Sequence, residues 1–152
     1  MSVEFNIEGL DEVQEKLKRL GNPRLIKNAA RRSMRKAMAI VRDAARANAK
    51  GIDDPETAEK IWKNIAIAAG KTRNPNEVVM RVGVRGGASF SNPNPPSTSG
   101  GDTRHFRWVE FGSANNPPTP FLRPALSNNI PQVTNQFATS FNQEIEKELA
   151  KL

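Results

Sequence analysis

At 152 residues, 37% of them hydrophobic, the chain is long enough for one domain with a real core (1–152) and short for two, since domains commonly run about 100 to 150 residues. No apolar run approaches the roughly 20 residues that cross a bilayer, no secretory apolar region follows Met1, and zero cysteines exclude disulfides, zinc–thiolate sites and thiol nucleophiles. Net charge is +7, and one segment carries the whole excess: from Arg24 to Lys50 nine basic residues (Arg24, Lys27, Arg31, Arg32, Arg35, Lys36, Arg42, Arg46, Lys50) stand against Asp43, while the rest of the chain holds fourteen basic and fifteen acidic residues.

Val3, Phe5 and Ile7 alternate with polar residues, the period-2 pattern of a strand with one buried face. Gly9 ends it. Asp11 with Gln14 resembles a capping box, and Leu10, Val13, Leu17 and Leu20 then recur at helical spacing up to Gly21. Asn22-Pro23 restarts the chain with a good N-cap and a proline at the first helical position, and nothing breaks the pattern before Gly51. This long helix, about 40 Å at 1.5 Å per residue, puts Ile26, Ala30, Ser33, Ala37, Ile40, Val41 and Ala44 on one side and Arg24, Arg31, Arg35, Arg42 and Arg46 opposite.

Asp54-Pro55 is a second cap-and-proline start and predicts a short helix to about Trp62 or Lys63. Ile65 and Ile67, then Val78, Met80, Val82 and Val84 beyond a turn region from Gly70 to Asn76, predict a β-hairpin with a long loop. Residues 86–103 are dominated by Gly, Ser, Asn, Pro and Thr and bury too little surface to fold alone. They read as a flexible, exposed loop, serving either as a spacer or as a segment ordered by a partner.

From His105 to Ser113, aromatic and β-branched residues predict a further strand that turns at Gly112. Prolines from Pro117 stop it, and Pro124 presets a final helix carrying Leu126, Ile130, Val133, Phe137, Phe141, Ile145 and Leu149, with a kink or restart at Pro131 near Asn128 and Asn129. The order β-α-α-α-β-β-β-α predicts an α+β fold: a small, mostly antiparallel sheet packed against the long basic amphipathic helix and the C-terminal helix.

Little here suggests chemistry, and an enzyme is not expected. His105 is the only histidine, so it has no second ring for a metal pair and no triad. No acidic cluster suits Mg²⁺, and Gly86-Gly87 and Gly100-Gly101 lack phosphate-loop spacing, so no catalytic, metal or cofactor site is expected. Glu110 is the best-placed carboxylate: burial between Trp108 and Gly112 would raise its pKa, or it pairs with an arginine such as Arg81 or Arg107. The arginines of the long helix either follow phosphates, Arg31, Arg35, Arg42 and Arg46 forming a DNA-facing stripe, or are solvated and partly paired with Glu144, Glu146 and Glu148 of the same or a neighbouring subunit. Trp62 and Trp108 fit core or subunit contacts better than base stacking.

The V-E-F-G-S segment from Val109 to Ser113 and the P-x-P-F-L-R-P-A-L segment from Pro118 to Leu126, in this order, resemble the tail-completion or neck family of tailed bacteriophages, typified by gene product ten of lambda-like siphophages. Two departures stand out: the chain has no tyrosine before the E-F-G segment, and Ala58 stands where the family has a glycine. The resemblance implies a structural virion protein, made in the host cytoplasm, that completes the tail and joins it to the head as a ring, expected to be a hexamer, around the DNA channel. Its implied partners are further copies of itself, the connector or stopper, the tail terminator or tube and passing double-stranded DNA, without a membrane. Trp108, Glu110, Phe111, Gly112, Pro120, Phe121, Leu122, Arg123 and Pro124 would then fix the fold's corner or contact the neighbouring subunit. The competing reading is a free-standing, basic, non-specific DNA-binding protein, which rests on the helix from Arg24 to Lys50 and matches no known DNA-binding motif.

Overall fold

A computed structural model describes residues 10–86 and 97–152; the strand expected at Val3, Phe5 and Ile7 lies outside the described residues. Helix α1 (Leu10–Leu20) ends as Gly21, at φ 64°, returns its N–H to the Leu17 carbonyl at 3.0 Å. The next residue starts the long helix α2 (Pro23–Lys50): the Asn22 side-chain oxygen accepts from the amides of Arg24 and Leu25 at 3.1 and 3.4 Å.

One face of α2 is buried through Ala29, Ser33, Ala37, Val41, Ala45 and Ala49, every fourth residue, with Met38 beside Ala37. Its small side chains let the C-terminal helix α6 (Ile130–Leu149) pack closely and antiparallel. The core falls into two parts along this pair. Around the second half of α2 gather Ile61, Ile65, Met80, Phe121, Ala125 and Val133; around its first half gather Leu20 and Ile145. Phe121 and Ile145 have no exposed surface, and truncating a ring buried like that of Phe121 costs about 3–5 kcal/mol.

The hairpin is present as β1 (Ile65–Ala69) and β2 (Met80–Val84), antiparallel, with Ile65 opposite Val84 and Ile67 opposite Val82. These four and Met80 meet the core, while Ala68 and Arg81 face outward. Two strands make the whole sheet among the described residues.

Two local expectations fail. No helix starts at Asp54-Pro55: the Asp54 carboxylate accepts the Glu56 amide at 2.9 Å and closes a local turn, and Lys60 is extended with its N–H on the Gly100 carbonyl at 2.8 Å. The helix there is the single turn α3 (Ile61–Asn64), capped from a distance by Asp53, whose two oxygens accept the Ile61 and Trp62 amides at 3.0 and 3.2 Å.

The segment expected as a strand from His105 to Ser113 is instead the helix α4 (Phe106–Phe111). Its aromatic and β-branched residues favour strands only where a pleated partner can pack on them. Here Phe106, Val109 and Glu110 turn inward at helical spacing, and Gly112, at φ 79°, stops the helix. A Cβ on Gly112 would also lie 2.9 Å from the Pro118 nitrogen, so space as well as torsion requires glycine.

The final helix is split, as its asparagines suggest. Helix α5 (Arg123–Ser127) ends where the Asn128 amide bonds to the Pro124 carbonyl at 3.0 Å, and α6 restarts with Pro131 in its first turn. In the loop expected at 86–103, residues 87–96 lie outside the described residues, and 97–103 are held against α3. Buried Asn64 donates to the Gly101 carbonyl and the Thr103 hydroxyl at 3.0 and 2.7 Å and accepts the Gly100 amide at 2.9 Å. Gly100 has to be glycine, because a Cβ there would lie 2.2 Å from the Lys60 carbonyl oxygen.

Candidate functional site

The residues singled out in the P-F-L-R-P segment meet those of the E-F-G segment at one corner, where α4 runs into α5. Glu110, 1% exposed, supplies the joint. Its Oε2 accepts the amides of Phe121 and Leu122 at 2.7 and 2.9 Å, and its Oε1 accepts the amide and Nε of Arg123 at 3.0 and 3.2 Å. The Arg123 guanidinium donates in turn to the Glu110 backbone carbonyl at 2.7 Å, and the Thr119 amide to the Val109 carbonyl at 2.7 Å. The carboxylate thus satisfies the first amide of α5 and the two amides that lead into it, which have no partner within the helix.

Burial pushes the Glu110 carboxyl up, but the amides of Leu122, Phe121 and Arg123 and the guanidinium outweigh it and hold the pKa below the usual glutamate value. This corrects the expectation of a raised pKa, and the partner is Arg123, not Arg81 or Arg107. An ionised carboxylate that already accepts four hydrogen bonds is suited to holding two helices together, not to moving protons.

The same helix turn that buries Glu110 sends Trp108 and Phe111 outward, 53% and 63% exposed. Terminal Leu152 is the other exposed large apolar side chain among the described residues. Arg123 lies over the Phe111 ring, 5.2 Å from its centroid. Beside Trp108 is an open cavity of about 340 Å³ lined by Ile52, His105, Val109, Pro117 and Thr119. The nine corner candidates therefore separate: Glu110 and Phe121 are buried, Gly112, Leu122 and Pro124 partly so, and Trp108, Phe111, Pro120 and Arg123 are exposed.

The arginine stripe lies elsewhere, along α2, and its four candidates are not alike. Arg31 and Arg35 are exposed, Arg42 pairs with Asp43 at 2.9 Å, and Arg46 donates from Nε and Nη2 to the Ile65 carbonyl at 3.1 and 2.8 Å. None of the four forms a salt bridge with α6 among the described residues. The arginine of α2 that does so is Arg32, which reaches Glu144 and Glu148 at 2.9 and 3.4 Å, while Glu146 pairs with Lys16 at 2.6 Å. Asp53 and Asn64, which anchor α3 and the 97–103 segment, are polar anchors that sequence reasoning missed. Both act on backbone eight or more residues away, so no short motif marks them.

Among the described residues no group of three or more His, Cys, Asp or Glu could hold a metal ion, and no helix is long and apolar enough to cross a membrane. A comparison with family models matches residues 11–112 to the HK97-gp10-like family, described as the bacteriophage HK97-gp10 tail component. The matched region runs from α1 to the glycine that ends α4, so it includes Glu110 and stops short of Phe121 to Leu126. No curated protein and no solved structure matches the chain.

Proposed function

Because the chain belongs to the HK97-gp10-like family of bacteriophage tail components, we propose that it is a structural protein of the virion neck, which completes the tail and joins it to the head as a ring of identical subunits around the DNA channel. The observation that supports this most is the corner itself. Trp108 and Phe111 stand exposed on a turn of helix that Glu110 and Arg123 hold rigid. Exposed aromatic side chains on a rigid support are favoured anchors for protein contacts, because they bury much area at little entropic cost. A contact made by one patch against a different patch of the next copy closes into a ring when its rotation allows, which suits a hexamer around a channel. The partners in this reading are neighbouring copies, the connector or stopper below the head and the terminator or tube of the tail.

The test is electron microscopy of particles from a phage with a nonsense mutation in this gene. DNA-filled heads separate from defective or unjoined tails are expected. Normal infectious particles would reject the proposal, and would leave room for the free-standing DNA-binding reading that the charge of α2 favours.

A further inference from the structure

The cations of α2 divide into two groups. Towards its C-terminal end they are used within the fold: Arg42 pairs with Asp43, and Arg46 holds the Ile65 carbonyl. Towards its N-terminal end, from Arg24 to Lys36, every exposed residue is a cation: Arg24, Arg31, Arg32, Arg35 and Lys36. Of these, Arg32 pairs with Glu144 and Glu148 of α6, whereas Arg31 and Arg35 have no side-chain partner among the described residues.

Arg24, Lys27, Arg31 and Arg35, at spacings of three and four, form a ridge about 17 Å long at 1.5 Å per residue. Like charges so spaced repel and weaken a helix, and among the described residues no acid forms a salt bridge with Arg31 or Arg35. Beside the ridge, the end of the hairpin forms a cleft of about 420 Å³ with Lys27, Arg31, Lys71, Thr72 and Glu77 as its polar lining and Val78 and Val79 on its apolar side. Lys27 is fixed there by a 2.7 Å bond to the Pro75 carbonyl.

We infer that this ridge, with Lys71 and Thr72 across the cleft, is a binding surface for the phosphates of duplex DNA, without sequence preference. A protein partner would need an apolar centre on the contact; an apolar cleft lined by Leu17, Ile26, Ala30, Pro75 and Val78 lies only at the Arg24–Lys27 end, whereas around Arg31 and Arg35 every exposed residue of the helix is a cation. A duplex offers about one phosphate charge per 1.7 Å of axis, so a ridge of this length passes several at once. The surface replaces the four-arginine stripe as the DNA-facing part of the chain: Arg42 and Arg46 leave it, and Arg24, Lys27, Lys71 and Thr72 join. Its position on the lumen of a ring rests on the neck reading; the binding itself does not.

The test uses the full-length protein, a labelled DNA duplex of mixed sequence and a salt series read by fluorescence anisotropy, with mass by light scattering on the same samples. Wild type should bind, with an affinity that falls steeply as salt rises and is unchanged when the duplex sequence is scrambled. Arg31→Gln with Arg35→Gln and Lys71→Gln, all exposed positions, should weaken binding at low salt at least tenfold and lower the log–log salt slope by about 0.9 for each phosphate no longer neutralised, with a melting temperature no lower than that of wild type. Glu77→Gln, which removes the acid lining the cleft, should tighten it, and Arg42→Gln should leave it within twofold. No binding by wild type at low salt, or a triple variant that binds as wild type does, overturns the inference. A monomeric mass with binding that still depends on the triple set upholds the surface and rejects the ring.

Discussion

Glu110 and Arg123 are joined three times: one carboxylate oxygen accepts both the amide and Nε of Arg123, and the guanidinium returns a bond to the Glu110 carbonyl. Because the amides of Phe121 and Leu122 end on the same side chain, α4 and α5 meet through one residue. Glu110→Ala leaves these buried donors without a partner and should destabilise the fold by about 3–5 kcal/mol. Arg123→Ala removes a half-exposed side chain but none of the amides, and should cost on the order of 1 kcal/mol. Urea unfolding of the two variants checks the ranking, and equal midpoints would show that the amides contribute little.

The joint also sets a pH dependence. Glu110 has a folded pKa below its unfolded value, so its contribution is fully present above the ordinary glutamate pKa of about 4.3 and is lost as pH falls through the folded value. Glu144, lowered by its bond to Arg32, and Glu146, lowered by its bond to Lys16, act in the same direction at the surface. Stability should therefore decline below about pH 4.3, and Glu110→Gln should decline less steeply than wild type. Superimposable acid profiles would remove Glu110 from this account.

Much of the helical frame was legible because its signals are local. Asn22-Pro23 and Gly51 bracket α2, period-3.6 spacing marks its buried face, and period-2 spacing marks the hairpin. The corner was legible as a set of residues but not as a shape. The expected strand at Phe106–Phe111 rested on β propensity, which reports packing against a partner strand, and this segment has none. What decides its form is a carboxylate binding amides 11 to 13 residues further on, a relation that no window of spacing can reveal. Once the segment is a helix, the outward direction of Trp108 and Phe111 follows from geometry.

Asn64 is the other distant tie. Asn64→Ala would leave the Gly100 amide and the Thr103 hydroxyl without the partner they now share, at about 1–3 kcal/mol for each group kept from water, while the Gly101 carbonyl keeps the bond from the Thr98 hydroxyl at 2.7 Å. Residues 97–103 should then detach before the rest of the fold opens. Trypsin should cut after Arg104 faster in the variant than in wild type, under conditions where both keep their helical circular dichroism. An unchanged rate would mean that the segment is held by something other than Asn64.

The proposed neck role turns on the exposed aromatic pair, so the decisive measurement is electron microscopy of particles from a phage whose copy of this gene carries Trp108→Ser and Phe111→Ser. Both side chains are largely exposed, and the variant should melt at the wild-type temperature. DNA-filled heads without joined tails, produced while the folded variant accumulates in the cell, are the expected result; intact, infectious particles at wild-type yield would contradict the account.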